Sequence, residues 1–255
     1  MKQRIRHPMV ESRWEWLYRA GGVAALLSAL FIPIQITVFI VWPPPLQGTV
    51  ADWFALFQEN RLIGLINLDL LLVADNVLLI PLFLALYILL RRANESLMLM
   101  ATALGFLGIV MYIASNPAFE MLSLSNQHAA ATTDAQRAIF LAAGQAMLAS
   151  WQGTAFQVAY LAGSVAGIAV GIAMLRSSVF GTVAATLAIL ANSIGLGLYI
   201  PVIGVYISVF SVLFLELWYI LLAWRLLQLG RGSLDSRGAS GALSEVGWKS
   251  APSAR

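Results

Sequence analysis

Residues 61–92 read RLIGLINLDLLLVADNVLLIPLFLALYILLRR, and this stretch decides the fold. Between Arg61 and Arg91 runs an apolar segment, Leu62–Leu90, in which Asp69 and Asp75 are the only acids and no Lys, Arg or His occurs. Crossing the hydrocarbon core of a bilayer takes roughly 20 apolar residues as a helix. From Arg61 to Arg91 is about 45 Å of helix at ~1.5 Å per residue. That length matches a bilayer with its headgroups and sets Asp75 and Asn76 near the midplane. No extended alternation of apolar and polar residues suggests a barrel, and a helix is the other way to satisfy a backbone in lipid.

Working outward, five further stretches have the same character. The reading is all-α: an integral membrane bundle of six transmembrane helices, with spans at about 20–42, 62–90, 97–122, 153–175, 179–200 and 204–227. Composition agrees. Hydrophobic residues make up 60% and charged residues 11% of the 255, whereas a soluble domain has about 45–50% and ~25%. Such a chain cannot hide its apolar surface in its own core, so the bilayer is its expected partner.

The 15 Lys and Arg residues orient the bundle. Lys2, Arg4, Arg6, Arg13 and Arg19 precede the first span, Arg91 and Arg92 follow the second, and Arg176 follows the fourth. Arg225, Arg231, Arg237, Lys249 and Arg255 lie at or beyond the end of the sixth, leaving only Arg61 and Arg137 on the opposite side. Positive charge marks the cytoplasmic side, so both termini are expected inside. Residues 1–19 read as a cytoplasmic arm, 20–228 as the membrane domain and 229–255, rich in Gly, Ser, Ala and Arg, as a disordered cytoplasmic tail. The first span reads as an uncleaved helix, because no small-residue cleavage site follows it before Pro43-Pro44-Pro45.

Two amphipathic segments are expected on the outer side. Thr49-Val50-Ala51-Asp52 starts a helix with an acid in its first turn, followed by Trp53, Phe54, Leu56 and Phe57. Thr133-Asp134-Ala135-Gln136 matches a capping box, followed by Ile139, Phe140, Ala143, Met147 and Trp151. They fit interfacial anchors or a lid over an outward-facing pocket.

Acids inside spans mark candidate sites. Asp69, Asp75 and Glu216 qualify, and no span holds an interior Lys, Arg or His to balance them. Each is therefore protonated and hydrogen-bonded, or balanced by a bound proton, metal ion or cationic ligand. Asp69, Leu72 and Asn76 share one face of a continuous helix, with Asp75 turned about 120° from Asp69. Gln35, Asn116, Gln157, Tyr160, Ser164, Asn192, Ser193, Tyr206 and Ser208 add neutral polar groups, while Pro33 and Pro81 leave carbonyls unpaired and predict kinks. The candidate ligand or ion site is Asp69, Asp75, Asn76, Asn192 and Glu216. The alternative role for the acids is packing between helices. Gly163, Gly167 and Gly171, and the small face Gly181, Ala185, Ala188 and Gly195, read as close-packing stripes.

Several chemistries drop out. With no cysteine there are no thiolate metal sites or cysteine nucleophiles. No span histidine exists to hold a haem, and Lys2 and Lys249, the only lysines, cannot form a buried Schiff base. Ser164 has no histidine to serve it as a nucleophile. No cofactor and no nucleic-acid partner is expected. One enzyme class survives, an intramembrane aspartic protease pairing Asp75 with Glu216, so the reading leans away from catalysis.

Arg61-Leu62-Ile63-Gly64, the acid-bearing helix after it, Leu86-Tyr87-Ile88-Leu89-Leu90-Arg91-Arg92 and Asn94-Glu95-Ser96-Leu97 together resemble a bacterial family of multi-pass membrane proteins known only as a domain of unknown function. The resemblance extends from about Tyr18 to Arg225. It implies a bacterial cytoplasmic membrane location and no particular activity, and it brings no site residues with it. Two functions follow from the residues: binding or transport of a small ligand or cation at the intramembrane carboxyl groups, or a structural accessory protein packing against partners through its glycine faces.

Overall fold

The computed structural model describes residues 12–247, with side chains over 13–231. The first eleven residues of the basic arm and residues 248–255 of the tail lie outside the described residues. All regular structure among the described residues is helical, in ten α-helices: α1 (Glu15–Val41), α2 (Val50–Glu59), α3 (Arg61–Asn67), α4 (Leu70–Leu90), α5 (Glu95–Ser115), α6 (Ala118–Ala130), α7 (Asp134–Trp151), α8 (Thr154–Leu175), α9 (Thr182–Gly195) and α10 (Gly204–Gly247). Six of them are long and apolar enough to cross a membrane: α1, α4, α5 (carried on by α6), α8 (preceded by α7), α9 with the turn after it, and α10 up to Arg231. These are the helices of a multi-pass membrane protein.

The six close into a ring. α1 packs on α4 and α10, α5 on α4 and α8, and α9 on α8 and α10. Each chain neighbour is thus a spatial neighbour, as short connections between antiparallel helices favour. The close approaches use small residues. A methyl at Gly21 would stand 2.7 Å from Ala85 Cβ, and one at Gly108 would stand 3.1 Å from the Ala159 carbonyl. At one end the turns are short. Asn94 begins α5 by accepting the Leu97 N–H at 3.1 Å, and Arg225 Nε donates to the Val179 carbonyl at 2.8 Å.

At the other end α2, α3, α6 and α7 pack on one another as a cap. Its separate apolar core holds Val50, Trp53, Phe54, Phe57, Leu68, Ala118 and Met121, with Phe140, Met147 and Trp151 against it. The two amphipathic segments therefore turn their aromatic faces onto each other. Both start signals are used. Asp52 Oδ2 accepts from the Thr49 N–H and hydroxyl at 2.6 and 2.8 Å. Thr133 Oγ1 accepts from Gln136 N at 3.2 Å, while Gln136 Oε1 reaches back to the Thr132 N–H at 3.1 Å, one residue earlier than the capping box expected.

The helices depart from the sequence reading in four places. The segment 62–90 is two helices, because the chain turns at Leu68 and Asp69, with Asp69 in the left-handed region at φ 63°. Asp is one of the few residues besides Gly that tolerates that conformation. The third span stops at Ser115, and Asn116-Pro117 re-aims the chain into α6, since a residue before proline avoids the helical region. The first helix begins at Glu15, inside the expected arm. Finally, α10 carries on as helix to Gly247, where composition suggested disorder from 229. Extending an existing helix needs no new nucleus, so a weak helix-former can follow a strong one.

Candidate functional site

The break between α3 and α4 is held by amide side chains. Gln35 of α1 donates to the Ile66 carbonyl at 3.0 Å, and Asn116 donates to that of Leu68. Asn67 donates to the Trp42 carbonyl at 2.9 Å. Carbonyls that leave a helix ladder inside an apolar layer need such partners, so Gln35 and Asn116 serve the backbone. Asp69, 9% exposed, accepts the Trp151 indole N–H at 3.1 Å. Its backbone caps α4, where the helix dipole favours negative charge. Asp69 thus joins the membrane ring to the cap.

The break also moves Asp75. The ruler from Arg61 to Arg91 assumed one helix, but α4 starts at Leu70. Asp75 stands only about 8 Å along it, in its cap-side third. The shared face of Asp69, Leu72 and Asn76 dissolves with the continuous helix. Both prolines lie within helices that continue past them, so the interruption falls at Asp69 and not at Pro33 or Pro81.

Asp75 is 7% exposed and lies beside Ser28 of α1, which is fully buried. Ser28 Oγ and Asp75 Oδ1 nevertheless lack any hydrogen-bond partner, as does Glu216 Oε2. Asp75 and Glu216 sit within electrostatic reach of each other and of Tyr219. This group occupies the side of the ring where α1, α4 and α10 meet.

Inside the ring, toward α5 and α8, is a cavity of about 230 Å³. One wall is made of Gly105, Gly108, Ala159, Gly163 and Gly167, and at Gly163 the absent side chain leaves open room. Phe83, Tyr112, Tyr160, Trp218 and Tyr219 supply aromatic surfaces, and Asn76, Ser164 and Asn192 supply polar atoms. Asn76 and Asn192 each donate to a carbonyl one turn back in their own helix, Leu72 and Ala188, at 2.9 and 2.8 Å. Trp218, 5% exposed, has an Nε1 without an acceptor. Tyr160 donates to the Gly195 carbonyl at 2.8 Å and meets Ser208 at 2.6 Å, bracing the end of α9.

The five candidate residues thus divide into three places. Asn76 and Asn192 line the cavity. Asp75 and Glu216 lie outside the lining, both within electrostatic reach of Tyr219, which belongs to it. Asp69 belongs to the cap junction. Of the neutral polar residues, Tyr206 is 77% exposed and stands apart from the cavity. Sequence reasoning passed over Ser28, Tyr112, Trp218 and Tyr219; the visible signal was that Trp218 and Tyr219 follow Glu216 in one span. Among the described residues no three His, Asp or Glu side chains gather as metal ligands do.

The glycine stripes are occupied from within the chain. A methyl at Gly171 would meet Ile189 Cγ1 at 2.6 Å and the Ala185 carbonyl at 3.0 Å, and one at Gly167 would overlap the Asn192 amide. A methyl at Gly163 meets nothing within 4 Å. Comparison of the chain with family models, with curated proteins and with solved structures finds no match.

Proposed function

We propose that this chain is a multi-pass protein of the bacterial cytoplasmic membrane that takes a small ligand into the cavity of its helix ring, for binding or transport. The observation that carries the reading is the cavity itself, lined by Trp218 and Tyr219, with Asp75 and Glu216 keeping unpartnered oxygens behind that lining. Pockets that take small molecules are mostly apolar with a few placed polar groups. The two carboxyl groups, without a cation from the chain, are the natural carriers of a proton or cation that accompanies the ligand. The cap, resting over one end of the ring, acts as the lid. The accessory-protein alternative loses support because the glycines at the helix crossings face neighbouring helices of the same chain.

The test is non-denaturing mass spectrometry of the protein released from membranes. A small molecule is expected to travel with the wild type and to be lost from Gly163→Leu, whose new side chain starts in open space at the cavity wall. The reading fails if no mass depends on Gly163 and no compound in a metabolite library raises the melting temperature of the wild type alone.

The positive charge at the open end of the ring supports a cytoplasmic position for both termini, with the cap outside. The absence of cysteine makes a direct check simple. An impermeant maleimide should label Ser123→Cys on α6 in intact cells, and Ser96→Cys on α5 only after permeabilisation. Reversed labelling overturns the orientation.

A further inference from the structure

We propose that the ligand of the ring cavity is a one-ring organic ammonium ion and that anions are excluded. This rests on the cavity being a ligand site and goes on to name the ligand's class.

Size comes first. A volume of about 230 Å³ holds about eight waters at the roughly 30 Å³ each occupies in the liquid. That is room for one substituted aromatic ring. The lining is rich in rings, since Phe83 of α4, Tyr112 of α5, Tyr160 of α8, and Trp218 and Tyr219 of α10 all border it, and an aromatic ligand would find partners among them.

Charge decides the class. No Lys, Arg or His lines the cavity, so a carboxylate or phosphate would enter a low-dielectric space without a counter-charge. Such burial is among the costliest available to a ligand. The groups in reach favour the opposite sign. Asp75 and Glu216 each keep an oxygen without a donor. Asn76 and Asn192 each give one of their two amide hydrogens to their own helix, so each keeps an N–H as well as an Oδ1 for a ligand. Trp218, Tyr219 and Tyr112 line the cavity, and aromatic rings attract a cation electrostatically.

The experiment uses the full chain in detergent and three probes of one shape: benzyltrimethylammonium, its uncharged carbon isostere neopentylbenzene, and benzenesulfonate. Binding is measured by titration calorimetry on the wild type, on Asp75→Asn/Glu216→Gln and on Gly163→Leu. The filled variant supplies the detergent background, and gel filtration checks that each variant is folded. The ammonium probe is expected to bind the wild type about tenfold more tightly than the isostere, a difference of about 1.4 kcal/mol. Benzenesulfonate should not bind. In the double variant the first two affinities should converge to within about threefold, or ~0.7 kcal/mol. If the isostere binds as tightly as the ammonium ion, or the sulfonate binds, the charge class is overturned while the cavity keeps its role. If no probe gives heat that depends on Gly163, and no small molecule accompanies the purified protein, the cavity reading falls and the ammonium assignment falls with it.

Discussion

The cap and the interior of the ring are built on opposite plans. Large aromatic side chains fill the cap, with Trp53 edge-on to Trp151 at 5.8 Å, and many of its polar groups find partners. Ser125 donates to the Phe54 carbonyl at 2.9 Å and accepts from Gln58 at 2.9 Å, and Asp69 receives Trp151. The ring joins its helices through Gly and Ala, encloses empty space, and leaves Ser28, Asp75, Glu216 and Trp218 with unpartnered atoms. Native interiors normally satisfy their buried polar groups. Unsatisfied atoms near the cavity are what the proposed ligand site rests on, and the cap side keeps its own at Gln35 Oε1 and Asn67 Oδ1.

The comparison is broken first in the cap. Phe57 is fully buried, and Gly64 is shaped around it, since a methyl there would stand 2.5 Å from the ring. Phe57→Ala should cost about 3–5 kcal/mol, measured by unfolding the protein out of detergent, and should leave probe binding by the remaining folded protein unchanged. A loss of affinity in the folded fraction would show that cap and cavity are one functional unit.

The next test lies within one stripe of α8. Gly171→Ala must push against Ile189 and the Ala185 backbone, so a loss of about 1–3 kcal/mol is expected. Gly163→Ala points into the cavity, so a gain of about 0.5–1 kcal/mol is expected from helix propensity alone. Opposite signs from two glycines eight residues apart would confirm that one serves packing and the other keeps space. Equal losses would mean that the cavity collapses in the folded protein.

These contrasts also show what the sequence could disclose. The number of spans was legible because lipid imposes length and composition on each of them. The cap helices were legible from Thr49, Asp52 and Thr133, whose side chains have only local partners. The break at Asp69 was not. It depends on Gln35, Asn116 and Trp151, which reach it from α1, from beyond α5 and from α7, and no local pattern records such partners. The same limit blurred the site. Spacing placed Asp75 and Asn76 side by side, but the packing of α1, α5 and α10 turns one toward Ser28 and the other into the cavity. Ser28 itself carries no mark in its own helix and acquires one only when Asp75 is set beside it.

The smallest expected effect separates the two regions by pH. Asp52 is exposed, and the Thr49 N–H and hydroxyl hold its carboxyl below the ordinary value of 3.8. A depressed folded-state value means that the unfolded chain binds the proton more readily. The contribution is therefore fully present above about pH 4 and is lost as pH falls through the lower, folded-state value. Acidification should loosen the start of α2, and with it the packing of Trp53. The expected signature is a fall in the cap's melting temperature between pH 5 and pH 3 that is larger in the wild type than in Asp52→Asn, because every other acid titrates in both proteins. Solvent screening keeps the difference small. If the two proteins fall equally, the Thr49–Asp52 contact does not hold the cap in solution, and the satisfied polar groups on that side lose one of their examples.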